Sequence, residues 1–374
     1  MRGSYDIVIV GAGILGLANA YIAAKQGKKV LVCERDLEAV SASVRNFGMI
    51  WPVGQPPGEL RSMALDSRRI WLELLNETGL WYRAAGSLHL AYEPEELAVL
   101  EEFCAKGPHL NYEVSMLTSG ETLSTSPVVR SDGLLGSMWS EQELCVDPRE
   151  IVSKLPEFLQ RTLGVEFLFS TTVLTAEPGS VITSEGTFLA KEIFLCCGSE
   201  FGALTPGLFK ENNVTRCKLQ MLRARPKSPN FRTGPHLCAG LTLAHYGNFQ
   251  ICESLEAFKA KVAREMPEYE KWHIHVLVSQ HENGDLTIGD SHEYGESISP
   301  FNHEEVDGLI LAYLNRFLPT SEFDVVERWY GVYAKSLNQP CLVIDLAPGL
   351  TAVVGAAGAG MTLSFGIANQ LQKR

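Results

Sequence analysis

The chain has 374 residues and a net charge of −12; 45% of its residues are apolar and 20% charged. This is the composition of a globular protein long enough for two domains, and it excludes disordered, collagen-like and solenoid architectures. The acidic balance argues against nucleic acid as the main partner, while a local basic pocket for a small anionic substrate remains compatible with it.

The first element is "DIVIVGAGILGLANAYIAAKQGKKVLVCERD". Its 18 residues between Asp6 and Lys25 carry no charge. That length fits a membrane helix or an export signal, but a sizeable basic n-region and a cleavage site are both missing. The β-branched block Ile7 to Val10 instead predicts a strand buried on both faces. Gly11, Gly13 and Gly16 then take the GxGxxG spacing, a small-residue helix follows, and Gly27 is placed to cap it. A second strand, 29–33, ends at the acid Glu34. Together these make a dinucleotide-binding βαβ unit. Gly11 permits the turn, Gly13 lets a pyrophosphate approach the backbone, and Gly16 lets helix and strand pack closely. Glu34 is expected to accept hydrogen bonds from the adenosine ribose. The unit leaves open whether the nucleotide is NAD or FAD.

Further on, "ELRSMALDSRRIWLELLNETG" predicts a helix capped by Gly79, and "GSLHLAYEPEELAVLEEF" a strand leading into a helix. In "CVDPREIVSKLPEFLQRTLG", Asp147 serves as N-cap with Pro148 at N1, and Glu150 completes a capping-box pattern. Pro156 is expected to kink this helix and Gly164 to end it. Residues 180–198 read as a hairpin and a buried strand ending at Gly198. Alternation in "WHIHVLVSQ" and "DLTIGDS" marks 216–300 as strand-rich. Asn302 and Glu305 are expected to cap the next helix. Near the end, "LTAVVGAAGAGMTLSFGIANQL" gives strand, glycine turn and helix, a second dinucleotide-type turn. The nine scattered cysteines, odd in number and without a CxxC pair, indicate free thiols in a reducing compartment, expected to be the cytoplasm. Cys196 and Cys197 end a buried strand and are assigned to packing. After the first run no segment is long and apolar enough to span a bilayer.

The chain resembles the D-amino-acid oxidase, glycine oxidase and sarcosine oxidase superfamily of FAD enzymes over nearly its whole length. The resemblance rests on GAGILG with Glu34 and Arg35, "SVRNFGM", "CVDPREI", "IFLCCGS", "RWYGVY" and "GAAGAGMTLS". "RNFGMIWPVGQPPG" and "GSLHLAYEPEELAVLEEF" are similar to a subgroup associated with phosphonate catabolism. The resemblance implies an α/β protein. A Rossmann-like FAD-binding domain would be built from discontinuous segments, 1–82, 146–215 and 326–374. An α+β substrate domain with a large mixed sheet would take 83–145 and 216–325. It implies non-covalent FAD, with Ile14 and Leu15 at the pyrophosphate, Glu34 and Arg35 at the adenosine, and Val173 at the adenine. Ser43, Asn46, Phe47, Gly48 and Met49 would line the pyrophosphate and isoalloxazine. Gly198 closes the strand of "IFLCCGS". The turn Gly355, Gly358, Gly360, Met361 and Thr362 would stabilise negative charge on the flavin. Cys341 does not match a covalent attachment pattern.

The chemistry so implied is oxidation of a C–N bond, with hydride leaving to flavin N5 and the imine hydrolysing to carbonyl and amine. In the amino-acid oxidising members, W-x-G-x-R places an arginine on the substrate carboxylate. Here Trp329, Tyr330, Gly331 and Val332 lead to Tyr333, so tyrosine stands where that arginine would be. Lys335, or else Arg223 or Lys218, would supply the charge, and a phosphonate would suit the rearrangement. Trp51, Tyr246 and Tyr333 are candidate pocket walls. Thr287 stands near where some sarcosine oxidases carry an oxygen-activating lysine, which favours a dehydrogenase or slow oxidase. The expected partners are thus a small amine and an electron acceptor, either oxygen or another. His273 and His275 share a face with His281 nearby, but no third ligand at fixed geometry is identifiable, so no metal is expected. An amino-acid oxidase, an NAD-dependent dehydrogenase and an electron-transfer protein without a substrate of its own are the competing readings.

Overall fold

The computed structural model describes residues 2–336, 341–355 and 358–374. Its first sheet has eight strands. At its centre, the strand Gly3–Val10 runs parallel to Val30–Cys33 on one side and to Gly186–Leu195 on the other. Leu350–Gly355 joins parallel to Gly186–Leu195. The uncharged opening run is therefore strand, turn and helix. The helix Ile14–Lys25 buries ten of its twelve residues, because the sheet covers one side while the helices Pro148–Leu163 and Gly360–Leu371 cover others. Complete burial, rather than lipid, explains the missing charge. Ile7, Ile9 and Leu17 are fully buried here, each worth about 1.5–3 kcal/mol relative to exposure. Among the described residues no helix is long and apolar enough to cross a membrane.

The second sheet has nine strands and is mixed. Its longest ladder pairs Val214–Pro226 antiparallel with Phe323–Ser336, in a register that sets Cys217 opposite Tyr333 and Thr215 opposite Lys335. The expected boundaries at 215/216 and 325/326 fall inside these two paired strands. A small third sheet, Met49–Ile50, Leu144–Val146 and Tyr82–Ala84, ties 49–50 to 144–146. The region 216–300 holds helices at Leu241–His245, Leu255–Glu265 and Pro267–Lys271 as well as strands. Leu255, Phe258 and Val262 carry helical spacing there, which the neighbouring alternation obscures. "WHIHVLVSQ" is a strand only over Leu277–Gln280.

Helix ends follow local chemistry. Glu59–Thr78 ends at Gly79, which is left-handed with φ of 67°. The helix Pro148–Leu163 runs on through Pro156 to a left-handed Gly164. Asp147 Oδ1 accepts from the backbone N–H of Arg149 at 2.9 Å and of Glu150 at 3.4 Å; Glu150 does not complete a capping box. Replacing Asp147 by alanine should cost about 1 kcal/mol of stability. A urea midpoint that does not move would refute this. The helix Glu304–Phe317 starts one residue later than expected, with His303 rather than Asn302 at the N-cap.

Candidate functional site

Two cavities carry most of the predicted site residues. The narrower, about 200 Å³, is lined by Gly11, Gly13, Leu15, Glu34, Arg35, Ser43, Val173 and Gly198. Ser41, Thr171, Cys197, Ser199 and Val332 also face it and were not anticipated. The wider, about 590 Å³, is lined by Asn46, Phe47, Met49, Trp51, Tyr246, Tyr333, Lys335, Gly358, Met361 and Thr362. The segment 41–49 thus contributes to both. Ile14, Gly16, Gly48, Gly355 and Gly360 line neither and shape the backbone behind the walls. Ala356 and Ala357, within the expected glycine turn, lie outside the described residues.

The narrower cavity is built by backbone. Gly11 has φ of 104°, and a Cβ on it would lie 2.5 Å from the Cys196 carbonyl oxygen. A Cβ on Gly16 would lie 1.9 Å from the Gly11 carbonyl oxygen. Glu34 receives the Ala12 N–H on one carboxylate oxygen at 2.8 Å and the Asp36 N–H on the other at 3.1 Å. Two amide donors fix the carboxylate at the cavity wall and leave further lone pairs for a ligand. Ser43 Oγ accepts the Ile14 N–H at 2.9 Å, so the loop after the second strand is fastened to the helix start. Asn46 Nδ2 donates to the carbonyls of Ala42 and Ser43, and its Oδ1 accepts from Gly48 N–H.

The wider cavity gathers residues from distant segments. Trp51 is fixed by its backbone N–H donating to Thr362 Oγ1 at 2.9 Å. Fully buried Glu143 accepts the Val53 N–H at 3.1 Å and so holds the turn after Trp51. Around the Trp51 ring lie His89, His236 and Tyr246, with centroids at 5.5, 5.9 and 6.2 Å. Lys335 Nζ donates to Tyr294 Oη at 3.0 Å. Burial holds its pKa below the ordinary lysine value. Burial also raises the Tyr333 hydroxyl well above its usual value, so it keeps its proton. No arginine among the described residues lines this cavity.

Arg223 and Lys218 do not reach it. Lys218 Nζ donates to the Phe301 carbonyl, and Arg223 is buried elsewhere with Nε unpartnered. Thr287 also lies away from it, bonded to His281 Nε2 at 2.7 Å, which separates His281 from the other histidines. Instead His275 meets His245 and His292, with ring centroids 3.8 and 5.1 Å away. His245 and His292 are 4.6 Å apart by the same measure. His273 and Asp290 complete this wall. The further imidazoles that sequence spacing did not show come from 245 and 292. Burial pushes His275 and His245 well below the ordinary imidazole range, and His292 down to about 3. His245 is exposed, yet two other imidazoles lie against its ring. Burial also pushes the Asp290 carboxyl well above its usual range, so His275 and His292 stand as neutral imidazoles beside a neutral acid.

A family model described as FAD dependent oxidoreductase matches residues 6–374. The chain belongs to that family. The cofactor of the family is FAD, and the residues present fit it. Gly11, Gly13 and Glu34 line the narrower cavity, two amide donors pre-position the Glu34 carboxylate there, and the helix Gly360–Leu371 opens at the wider one without a side-chain cap. Among curated relatives, the D-amino acid dehydrogenase of Helicobacter pylori is 26% identical over 284 residues, covering 61% of this chain and 66% of that protein. An opine oxidase component from Rhizobium meliloti is 26% identical over 280 residues, covering 69% and 72%. The aligned stretches thus span roughly two thirds of those relatives. Of solved structures, glycine oxidase from Geobacillus kaustophilus superposes with a TM-score of 0.78 at 20% identity, covering 99% of this chain and 94% of that one. L-proline dehydrogenase from P. horikoshii gives 0.80 at 17%, covering 100% and 94%. These share the fold with this FAD-dependent oxidoreductase family member.

Proposed function

We propose that the protein oxidises the C–N bond of a small amine that carries an acidic group, with Lys335 holding that group. The carrying observation is the exchange at one wall: Tyr333 stands where an arginine would clamp a carboxylate, and Lys335, two residues on, faces the same cavity. FAD, when bound, supplies the acceptor for two electrons and the α-hydrogen. The amine becomes an imine, which water hydrolyses to a carbonyl and an amine. The chain's part is to orient and shield. Lys335 would pair with the anion, Tyr333 would donate to it, and the Trp51 and Tyr246 rings would wall the apolar flank.

The finer reading is an N-substituted aminophosphonate. A lysine point charge beside a hydroxyl donor suits a tetrahedral anion better than the planar fork an arginine offers to a carboxylate. The names of relatives give weight to a secondary amine, because opines and proline are both N-substituted. The second reading, an amino-acid substrate held through its carboxylate, draws on the same names. In both readings Gly11, Gly13, Leu15, Glu34, Arg35, Ser43, Val173 and Gly198 would hold the dinucleotide. Phe47, Met49, Gly358, Met361 and Thr362 would surround the flavin ring.

The purified protein should show a flavin spectrum, or acquire one with FAD. Under anaerobic conditions, N-methylated aminophosphonates should bleach it faster than glycine, sarcosine, proline or D-alanine. Faster bleaching by any of the four amino acids would transfer the assignment to the second reading. A flavoprotein that no amine reduces would remove both.

A further inference from the structure

We propose that His245, His275 and His292 form a binding site for one divalent first-row transition ion, with its open coordination position facing the wider cavity. The three imidazoles come from separate places: the end of the helix Leu241–His245, a position just before the strand Leu277–Gln280, and the residue after Ser291. One ring nitrogen from each lies within 4.8 Å of the others. A tetrahedral site with bonds of about 2.0–2.1 Å needs nitrogens about 3.4 Å apart. The contraction is small, and His245 is the exposed member of the three.

The surroundings point the same way. His292 Nδ1 lies 3.1 Å from the His273 carbonyl oxygen. As the N–H donor to that oxygen, Nδ1 leaves Nε2 with a free lone pair. His275 Nε2 lies 3.2 Å from Asp290 Oδ1, yet neither atom makes an aligned hydrogen bond, and His275 Nδ1 is also unpartnered. His275 and Asp290 are 2% and 4% exposed, so this is a buried histidine with no partner for either nitrogen, which normally costs about 1–3 kcal/mol. A metal ion would satisfy one of the two. A carbonyl or carboxylate behind an imidazole is the arrangement that orients histidine ligands. Three neutral imidazoles are a donor set suited to zinc and its neighbours. Asp290 Oδ1, 3.2 Å from His275 Nε2, places an acid beside the cluster. The groups facing the cluster are His273, Tyr246, Tyr294, Asp290 and Lys335; the Lys335 ammonium opposes a cation.

That opposition gives the test its sign. Zinc(II) is titrated by calorimetry into FAD-loaded protein freed of metal with a chelator. One equivalent should bind per chain. His275→Ala and His292→Ala should abolish binding, and Asp290→Asn should weaken it about 10–100-fold. Lys335→Met should tighten it, and His109→Asn, at an exposed position, should leave it unchanged. Flavin content and thermal midpoint establish that each variant is folded. His245→Asn, altered at the exposed member of the three, should weaken zinc in a fold left intact. Absence of saturable binding, or binding indifferent to His275 and His292, overturns the proposal. So does weaker zinc binding in Lys335→Met, which would mark the cluster as an anion site. The measurement uses no substrate, so it stands or falls separately from the amine reading.

Discussion

Gly16→Val is expected to abolish flavin binding and to cost the fold about 3 kcal/mol or more. The added Cβ would lie 1.9 Å from the Gly11 carbonyl oxygen. That oxygen belongs to a turn already fixed on its other side, where a Cβ on Gly11 would meet the Cys196 carbonyl. Neither backbone atom can yield without moving a central strand of the sheet. Gly13→Ala is the milder companion. Its Cβ would meet only Ser43 Oγ, at 3.0 Å, and a side chain can turn aside. It should fold, with weakened FAD binding. Flavin absorbance per protein and the thermal midpoint measure both. A Gly16→Val protein with full flavin and an unchanged midpoint would refute the close-packing account.

Lys335→Met should raise KM about 100-fold and change kcat less than tenfold, as loss of a charged hydrogen bond to the substrate's anion predicts, at about 1.5–3 kcal/mol. The pH dependence has a definite sign. The binding form of Lys335 is its cation, present below its pKa. Burial lowers that pKa, so affinity should fall as pH rises through a value below the ordinary lysine range. In Lys335→Met this alkaline limb should vanish. A fall in kcat at constant KM would instead assign Lys335 to the chemical step.

Much of the nucleotide end was legible because its requirements are local. Gly11, Gly13, Gly16 and Glu34 sit within one βαβ unit, where spacing along the chain is nearly spacing in the fold. The ends at Gly79, Gly164 and Asp147 were equally local. Asn302 failed as a cap because His303, next to it, takes the extended backbone that a cap needs. The helix Leu255–Glu265 was lost among alternating neighbours. Trp51, Tyr246, Tyr333 and Lys335 were each marked by motif or residue type and do share a cavity. His281 was grouped with His273 and His275 by proximity in sequence, and the fold gives it to Thr287 instead.

The sequence by itself determined the nucleotide turn, because steric demands on a glycine and the reach of one acid act over a few residues. Only the tertiary structure decided what faces the wider cavity. The long ladder between Val214–Pro226 and Phe323–Ser336 sets where Tyr333 and Lys335 emerge. The meeting of His245, His275, His292 and Asp290 depends on three segments converging, and their neutrality depends on burial. Neither has a counterpart in spacing along the chain, since contact and desolvation are properties of the packed whole.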